Sequence, residues 1–313
     1  MDYDVICVGQ SCADILIRGL DLNVPFDSEK RSVDQLDIGV GGDATNQSIV
    51  MSRLGLKTKL ISGLGNDNFG KLLEGIIKEA GADTSGIAFS DKLPTPRVVV
   101  VVAPDGQRNF ILTRGKNAGH FTPDAKAVAG AKVVSIASLM IAPFITPEFI
   151  VPIISAAREN GSIICADTVY NNDSDFEEFR PILPSIDYFF PNDYEAGLIT
   201  GKTDEDKMAD AFLRFGVKNV IIKIGKRGCF FKNAKESFIV PTFDSPVIDT
   251  TGAGDNFASG FIAALLEGHD HAYCCKFGNA VASVSIQSLG ANTGVRDKRQ
   301  VIDFIANYKQ YSI

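Results

Sequence analysis

Short runs of β-branched and other apolar residues alternate with segments of helical period along most of this chain. That alternation restricts the fold more than any other feature. Strand-like runs fall at residues 4–9, 58–63, 132–138, 162–166, 187–190 and 219–224. Helical spacing marks residues 44–54, 69–79, 146–160, 193–200, 206–215, 254–266, 271–288 and 297–308. Such a series builds βαβ units around a mostly parallel sheet, because each helix carries the chain back across a face of the sheet. Residues 12–40 and 96–114 depart from the pattern: both are strand-like, with no helix between the strands. In the second, residues 97–103 and 107–113 flank Pro104-Asp105-Gly106, a favourable hairpin turn. The two regions are expected to form a small antiparallel sheet, a lid on a large α/β domain. No linker, repeat, low-complexity segment or charge block divides the 313 residues, so residues 1–313 are read as one domain.

Charge narrows the function classes. A formal net charge of −7 argues against nucleic acid as the main partner, since such proteins need a basic surface. No apolar run is long enough to span a membrane. The acidic start Met1-Asp2-Tyr3-Asp4 leads straight into a strand-like run, so no signal peptide is visible and a cytoplasmic location is expected. The six cysteines form no C-x-x-C pair and are read as free, buried thiols. The three histidines, His120, His269 and His271, do not resemble a metal set, and His269 and His271 are expected at the surface.

Five local patterns bear on chemistry. Asp249-Thr250-Thr251-Gly252-Ala253-Gly254-Asp255 opens the helix over 254–266. A helix start offers unpaired N–H groups and a positive dipole end, and side chains this small let an anion approach them. An acid in such a turn makes sense if Asp255 takes a proton while the turn holds negative charge forming nearby. Gly39-Val40-Gly41-Gly42-Asp43-Ala44-Thr45-Asn46 opens another helix, with Asn46 one turn in and able to donate and accept. Asp14, just after the first strand, is suited to accepting hydrogen bonds from two hydroxyls. Lys223-Ile224-Gly225-Lys226-Arg227-Gly228 ends an apolar strand, where open α/β sheets place their ligands; a plain turn between two strands is the alternative. Asn192-Asp193-Tyr194-Glu195 reads either as a capping box or as an acid placing a magnesium–phosphate complex through water.

With these motifs in order, the chain resembles the ribokinase-like, PfkB-type family of carbohydrate and nucleoside kinases. The resemblance rests on Gly41-Gly42, Asn46, Ser48, Gly55 and Gly65 near the start, and on residues 249–262 near the end. Asn192…Glu195 and Gly225…Gly228 fall between them in the family's order, so the match runs from residue 4 to about residue 290. The resemblance implies a three-layer α/β/α fold with a β-sheet lid, and transfer of the γ-phosphoryl of ATP, with Mg²⁺, to a hydroxyl. It casts Asp255 as general base and Gly252, Ala253 and Gly254 as the anion hole. Asp14, Gly42, Asp43 and Asn46 then face the sugar. Asn192 and Glu195 serve phosphate and magnesium, Glu195 through water. Lys223, Gly225 and Gly228 serve the nucleotide, and Asn279 either lines the adenine pocket or packs. Asp249 and Thr251, with a loop at Gly290-Ala291, could hold K⁺. The lid commonly pairs with a second lid, which implies a homodimer.

One departure bears on substrate. Ribokinases commonly carry a lysine where this chain has Asp43. Asp14 and Asp43 make the sugar end acidic, which favours a neutral sugar or polyol over a phosphorylated one unless arginines near the lid compensate. Arg97, Arg108 and Arg114 are placed to do so, and Arg97 is counted among the substrate-binding candidates. A nucleoside kinase is the alternative, with Phe26, Phe110 and Phe121 as candidates for a base-stacking shelf.

Overall fold

The computed structural model describes residues 2–20, 30, 32–103, 108–112, 124–141, 145–170 and 175–311. Pro104-Asp105-Gly106, Phe26, Arg114, His120 and Phe121 lie outside them. The first half runs β1 (Tyr3–Val8), β2 (Cys12–Arg18), β3 (Gln35–Gly41), α1 (Asp43–Arg53), β4 (Thr58–Gly65), α2 (Asn68–Glu79), β5 (Asp83–Ser90), β6 (Arg97–Val102), β7 (Arg108–Leu112), β8 (Ala131–Leu139) and α3 (Pro147–Glu159). The second runs β9 (Ile163–Thr168), α4 (Phe176–Phe179), β10 (Tyr188–Phe190), α5 (Asp193–Thr200), α6 (Glu205–Arg214), β11 (Asn219–Lys223), β12 (Cys229–Asn233), β13 (Ser237–Val240), α7 (Ala253–Leu266), α8 (His271–Ser285) and α9 (Lys298–Asn307).

The main sheet has the order β13-β12-β11-β10-β9-β8-β1-β4-β5. From β11 to β5 every pairing is parallel, while β12 and β13 add an antiparallel edge. Alternate residues of each strand feed two cores, as the period of two requires. Val5 and Cys7 of β1 join one cluster with α1, α2, α7 and α8, and Ile6 and Val8 join the other with α3 and α6. The three layers follow from strands apolar on both faces, each needing a layer of helix to bury it. Phe190 and Phe261 meet edge to face, with ring centroids 5.2 Å apart, and lock β10 to α7.

The second sheet has the order β3-β2-β6-β7. Its outer pairs are antiparallel, but β2 and β6 run parallel, with Ala13 opposite Arg97. The sheet is therefore mixed rather than antiparallel. Its two hairpin-like halves come from distant parts of the chain, and they meet side by side in the same direction. Residues facing one another across the strands share a face. One face carries Ile15, Ile17, Leu36, Ile38, Val99, Val101 and Ile111. The other carries Asp14 and Leu16.

All six cysteines are free and buried. His271, expected at the surface, is half-buried. Its ring stacks on Phe231 at 4.6 Å, and Nδ1 lies 2.7 Å from Glu236 Oε1. His269 is exposed.

Candidate active site

Two α-helix starts differ from those of the other α-helices described. Helices α2 to α6, α8 and α9 each begin at an Asp, Asn or Thr whose side chain accepts from a first-turn N–H. Helices α1 and α7 begin instead at Gly42 (φ 92°) and Gly252 (φ 71°), with no side-chain cap. Both glycines use a left-handed conformation that other residues rarely adopt. At Gly42 a Cβ would also stand 2.4 Å from the Gln10 carbonyl oxygen. The two starts face the same cleft, since Asn46 Nδ2 of α1 donates to Asp255 Oδ2 of α7 at 2.8 Å. The cleft lies beyond the carboxyl ends of the parallel strands, where open α/β sheets bind ligands.

Charge in the cleft is concentrated. Asp255 is buried, and its carboxyl is held well above the ordinary range, first by burial and then by Asp43 and Asp167; Asn46 and Lys223 oppose the shift. Burial likewise raises Asp43, whose Oδ2 accepts from Ser138 Oγ at 2.5 Å. Ser138 holds that hydroxyl from a left-handed backbone (φ 64°), a costly conformation for a non-glycine residue. Lys223 Nζ donates to Asp167 Oδ1 at 2.7 Å, deep in the same cluster. Burial pulls the ammonium pKa down, but Asp167 and Glu195 more than offset that, and the net shift is upward. A Cβ on Gly254 would come 2.9 Å from this ammonium, so the bare glycine lets a positive charge rest against the first turn of α7.

At the end expected to take sugar, Asp14 lies against Gly41, where a Cβ would meet Asp14 Oδ2 at 2.1 Å. Burial pushes its carboxyl up to about 6, against a hydrogen bond from the Cys12 thiol at 3.4 Å. Arg97 points elsewhere: its guanidinium sits 5.4 Å from the Phe69 ring centroid, and Nε donates to the Thr95 carbonyl at 3.3 Å. Arg108 of β7 is the arginine that reaches the cleft, donating to Thr250 Oγ1 in the turn before α7.

At the end expected to take nucleotide, Gly225 to Arg227 form a single 3₁₀ turn between β11 and β12. Gly228 (φ 96°) closes it, and a Cβ there would strike the Val240 carbonyl at 2.0 Å. Asn192 and Glu195 make a full capping box: Asn192 Oδ1 accepts from Glu195 N at 2.8 Å, and Glu195 Oε2 accepts from Asn192 N at 3.0 Å. Glu195 is nonetheless buried, which pushes its carboxyl up to about 7 against the pull of Lys223. Asn279 gives its NH₂ to the Val240 and Pro241 carbonyls at 2.9 and 3.3 Å, so that amide nitrogen packs the end of β13.

Asp249 organises the turn. Its Oδ1 accepts from Thr251 N at 2.9 Å and Thr251 Oγ1 at 2.6 Å, and its Oδ2 accepts from Gly290 N at 2.8 Å. Asn256 Nδ2 ties the same loop down through the Gly252 and Ala291 carbonyls at 2.8 and 2.7 Å. Three participants were not singled out from sequence: Asp167, Ser138 and Asn292. The signal for Asp167 was present, as an acid at the end of an apolar strand in the parallel series. Nothing in the sequence marks the backbone of Ser138.

These raised carboxyls make a prediction about the ligand-free protein. Asp14 and Glu195 bind protons more tightly folded than unfolded, so stability falls as pH rises from the ordinary carboxylate range through their raised values. Asp67, Asp83 and Asp187 are held below their ordinary values, and they act below that window. The urea midpoint is expected to be lower at about pH 8 than at about pH 5. Glu195→Gln should remove part of the slope, with a ceiling on the order of 3 kcal/mol. A slope unchanged in that variant would contradict the assignment.

Known proteins bear on this arrangement. The family model "pfkB family carbohydrate kinase" matches residues 3–298. A ribokinase of Haemophilus influenzae is 29% identical over 86% of this chain and 88% of its own length. A probable fructokinase-3 of Arabidopsis thaliana is 27% identical over 86% of this chain and 84% of its own. The structure of Arabidopsis thaliana ribokinase complexed with ribose and ATP superposes with a TM-score of 0.83 at 27% identity, covering 97% of this chain and 99% of that one. With a family model matched across nearly its whole length and a ribokinase-like fold beneath it, this chain belongs to the pfkB family of carbohydrate kinases.

Proposed function

We propose that the chain transfers the γ-phosphoryl group of ATP to a hydroxyl of a small sugar or polyol, with Asp255 as general base. The observation that carries this reading is a buried carboxylate in the first turn of an uncapped helix, with an ammonium largely withdrawn from water alongside. Asp255 takes the proton of the acceptor hydroxyl as its oxygen attacks the γ-phosphorus. The bond from that phosphorus to the bridging oxygen breaks, and ADP leaves with the electron pair. The N–H groups of Gly252, Gly254 and Asp255, with Lys223, face the charge on the moving group, while the Ala253 N–H is shared with the Thr250 carbonyl at 3.3 Å. Asp14, Gly42 and Asp43 line the acceptor end. Lys223, Gly225, Gly228, Asn192 and Asn279 line the nucleotide end.

Mg²⁺, when bound with ATP, neutralises charge on the β- and γ-phosphates. Glu195 fits a role in holding it through water: the residue is an oxygen donor in an anionic cluster, and Mg²⁺ keeps much of its water. We also propose K⁺ beside Asp249, Thr251 and the loop at Gly290-Ala291. Asp249 accepts three hydrogen bonds of the roughly four a carboxylate can take. The buried Asn256 Oδ1, bound to the same loop through its Nδ2, has no partner among the described residues. The second sheet acts as the lid, and its apolar outer face suits a copy of itself: Leu36, Ile38 and Ile111 are 59%, 50% and 58% exposed.

Two tests follow. Pentoses, hexoses, polyols, sugar acids and nucleosides are to be assayed for ADP release with ATP and Mg²⁺, in K⁺ and in Na⁺. Sugars or polyols should turn over, nucleosides should not, and Na⁺ should lower the rate. Asp255→Asn should lose on the order of 10²–10⁴-fold in kcat. Full turnover by that variant, or activity on nucleosides alone, would defeat the assignment. For the dimer, Ile38→Lys should shift the sedimentation coefficient from dimer to monomer without unfolding the chain, and a wild-type monomer would refute the interface.

A further inference from the structure

In sequence Asn46 reads as a ligand for the sugar, donor and acceptor at once. In the fold both ends of its amide are bound to protein. Nδ2 donates to Asp255 Oδ2 at 2.8 Å, and Oδ1 accepts from Asn292 Nδ2 at 2.8 Å. Asn292 Nδ2 also donates to the Val40 carbonyl at 2.8 Å. The three side chains are buried, at 3%, 5% and 6% exposure for Asn46, Asn292 and Asp255.

The direction of this chain is set at one end. A backbone carbonyl can only accept, so Val40 decides which end of the Asn292 amide faces it. The same NH₂ then meets Asn46 Oδ1, and that contact decides the orientation of the Asn46 amide. The NH₂ of Asn46 is left facing Asp255. An amide without such an anchor is held either way round only by its hydrogen bonds. Asn292 is itself fixed, because Arg53 Nη1 donates to its backbone carbonyl and to that of Val295.

We propose that Asn292 is a positioning residue for phosphoryl transfer: anchored on the Val40 carbonyl, it orients Asn46 so that one Asp255 oxygen is held and the other is aimed at the acceptor hydroxyl. The proposal rests on Asp255 being the base. It gives Asn46 a role at the base beside the one expected at the sugar, since the amide has a second N–H and a second oxygen lone pair beyond the two bonds above, and it brings in a residue outside the two motif segments. Val40 belongs to β3, so the same amide ties the second sheet to the base.

The test compares Asn292→Ala and Asn292→Asp with wild type and Asp255→Asn, using ATP and the sugar of highest turnover in the panel. Aspartate is nearly the size of asparagine, so a space-filling role makes Asn292→Asp the milder change. The relay demands the reverse. An ionised acid cannot donate to Val40, and it draws the Asn46 NH₂ towards itself, turning Asn46 Oδ1 against Asp255. The expected kcat loss is about 10-fold for Asn292→Ala and roughly 100-fold for Asn292→Asp, with both KM values changed by less than about threefold. An Asn292→Asp enzyme as active as Asn292→Ala, or a loss carried by KM, overturns the relay. Turnover retained by Asp255→Asn overturns the base itself, which separates the two failures. If Asn292→Asp does not fold, the double variant Asn46→Ala with Asn292→Ala decides. The relay predicts that it is no slower than Asn46→Ala alone, and losses that multiply overturn the proposal.

Discussion

The buried ion pair between Lys223 and Asp167 holds the electrostatics of the cleft together. Its Nζ–Oδ1 distance is 2.7 Å, and both side chains are largely withdrawn from water. Around that one ammonium stand Asp43, Glu195 and Asp255, all with carboxyls raised by burial. A buried pair of this kind is a weak source of stability, because desolvation consumes most of the Coulombic gain. Its effect is to make several acids tolerable side by side. Remove the cation, and the cleft must take up protons or open to water. The sequence β9–β10–β11 is what brings the pair together: β9 ends at Thr168 beside Asp167, β11 ends at Lys223, and β10 lies between them.

Strain at the edges of the cleft serves the same arrangement. Ser138 and Met140 adopt left-handed backbone at the end of β8, where the pairing with β9 shifts register. The departure turns the Ser138 hydroxyl towards Asp43, a half-buried acid to which it donates at 2.5 Å. Gly42 and Gly252 adopt left-handed conformations that leave α1 and α7 uncapped. Two helix dipoles then contribute positive potential to a pocket crowded with carboxylates. The fold supplies positive potential from backbone as well as from side chains. Backbone dipoles do not titrate, so this part is constant across the working pH range.

What could be read from the sequence was what is local. The alternation of apolar runs marks β1, β4, β8, β9, β10 and β11, and the glycine-rich starts of α1 and α7 are contiguous patterns. The strand β5, Asp-Thr-Ser-Gly-Ile-Ala-Phe-Ser, escaped notice because an edge strand needs fewer apolar residues and this one carries polar and glycine positions. The parallel pairing of β2 with β6 was hidden for another reason. It joins segments more than eighty residues apart, and nothing in either segment names its neighbour. Asn292 was illegible in the same way: it is an ordinary polar residue until a partner 246 positions away is brought to it. For Asp167 the strand-end position was legible, but its partner 56 positions away was not. Arg97 and Arg108 show the converse, since both lie on the same sheet and only the direction of the side chain separates them.

The same distinction explains why Asn46 changed its meaning. An asparagine one turn into a helix that faces a cleft has one donor end and one acceptor end, and the sequence left both for a ligand. Three hydrogen bonds of 2.8 Å instead run from the Val40 carbonyl to the Asp255 carboxylate through two amides. A buried polar chain is stable only when each group has a partner of the right sense, and here the sense is imposed from a backbone atom that cannot reverse it. The consequence reaches the second sheet. Val40 lies in β3, so displacing that strand would release Asn292, and with it the orientation of Asn46. A change in the second sheet would then be felt at Asp255 through hydrogen-bond direction, with little movement of α7 itself.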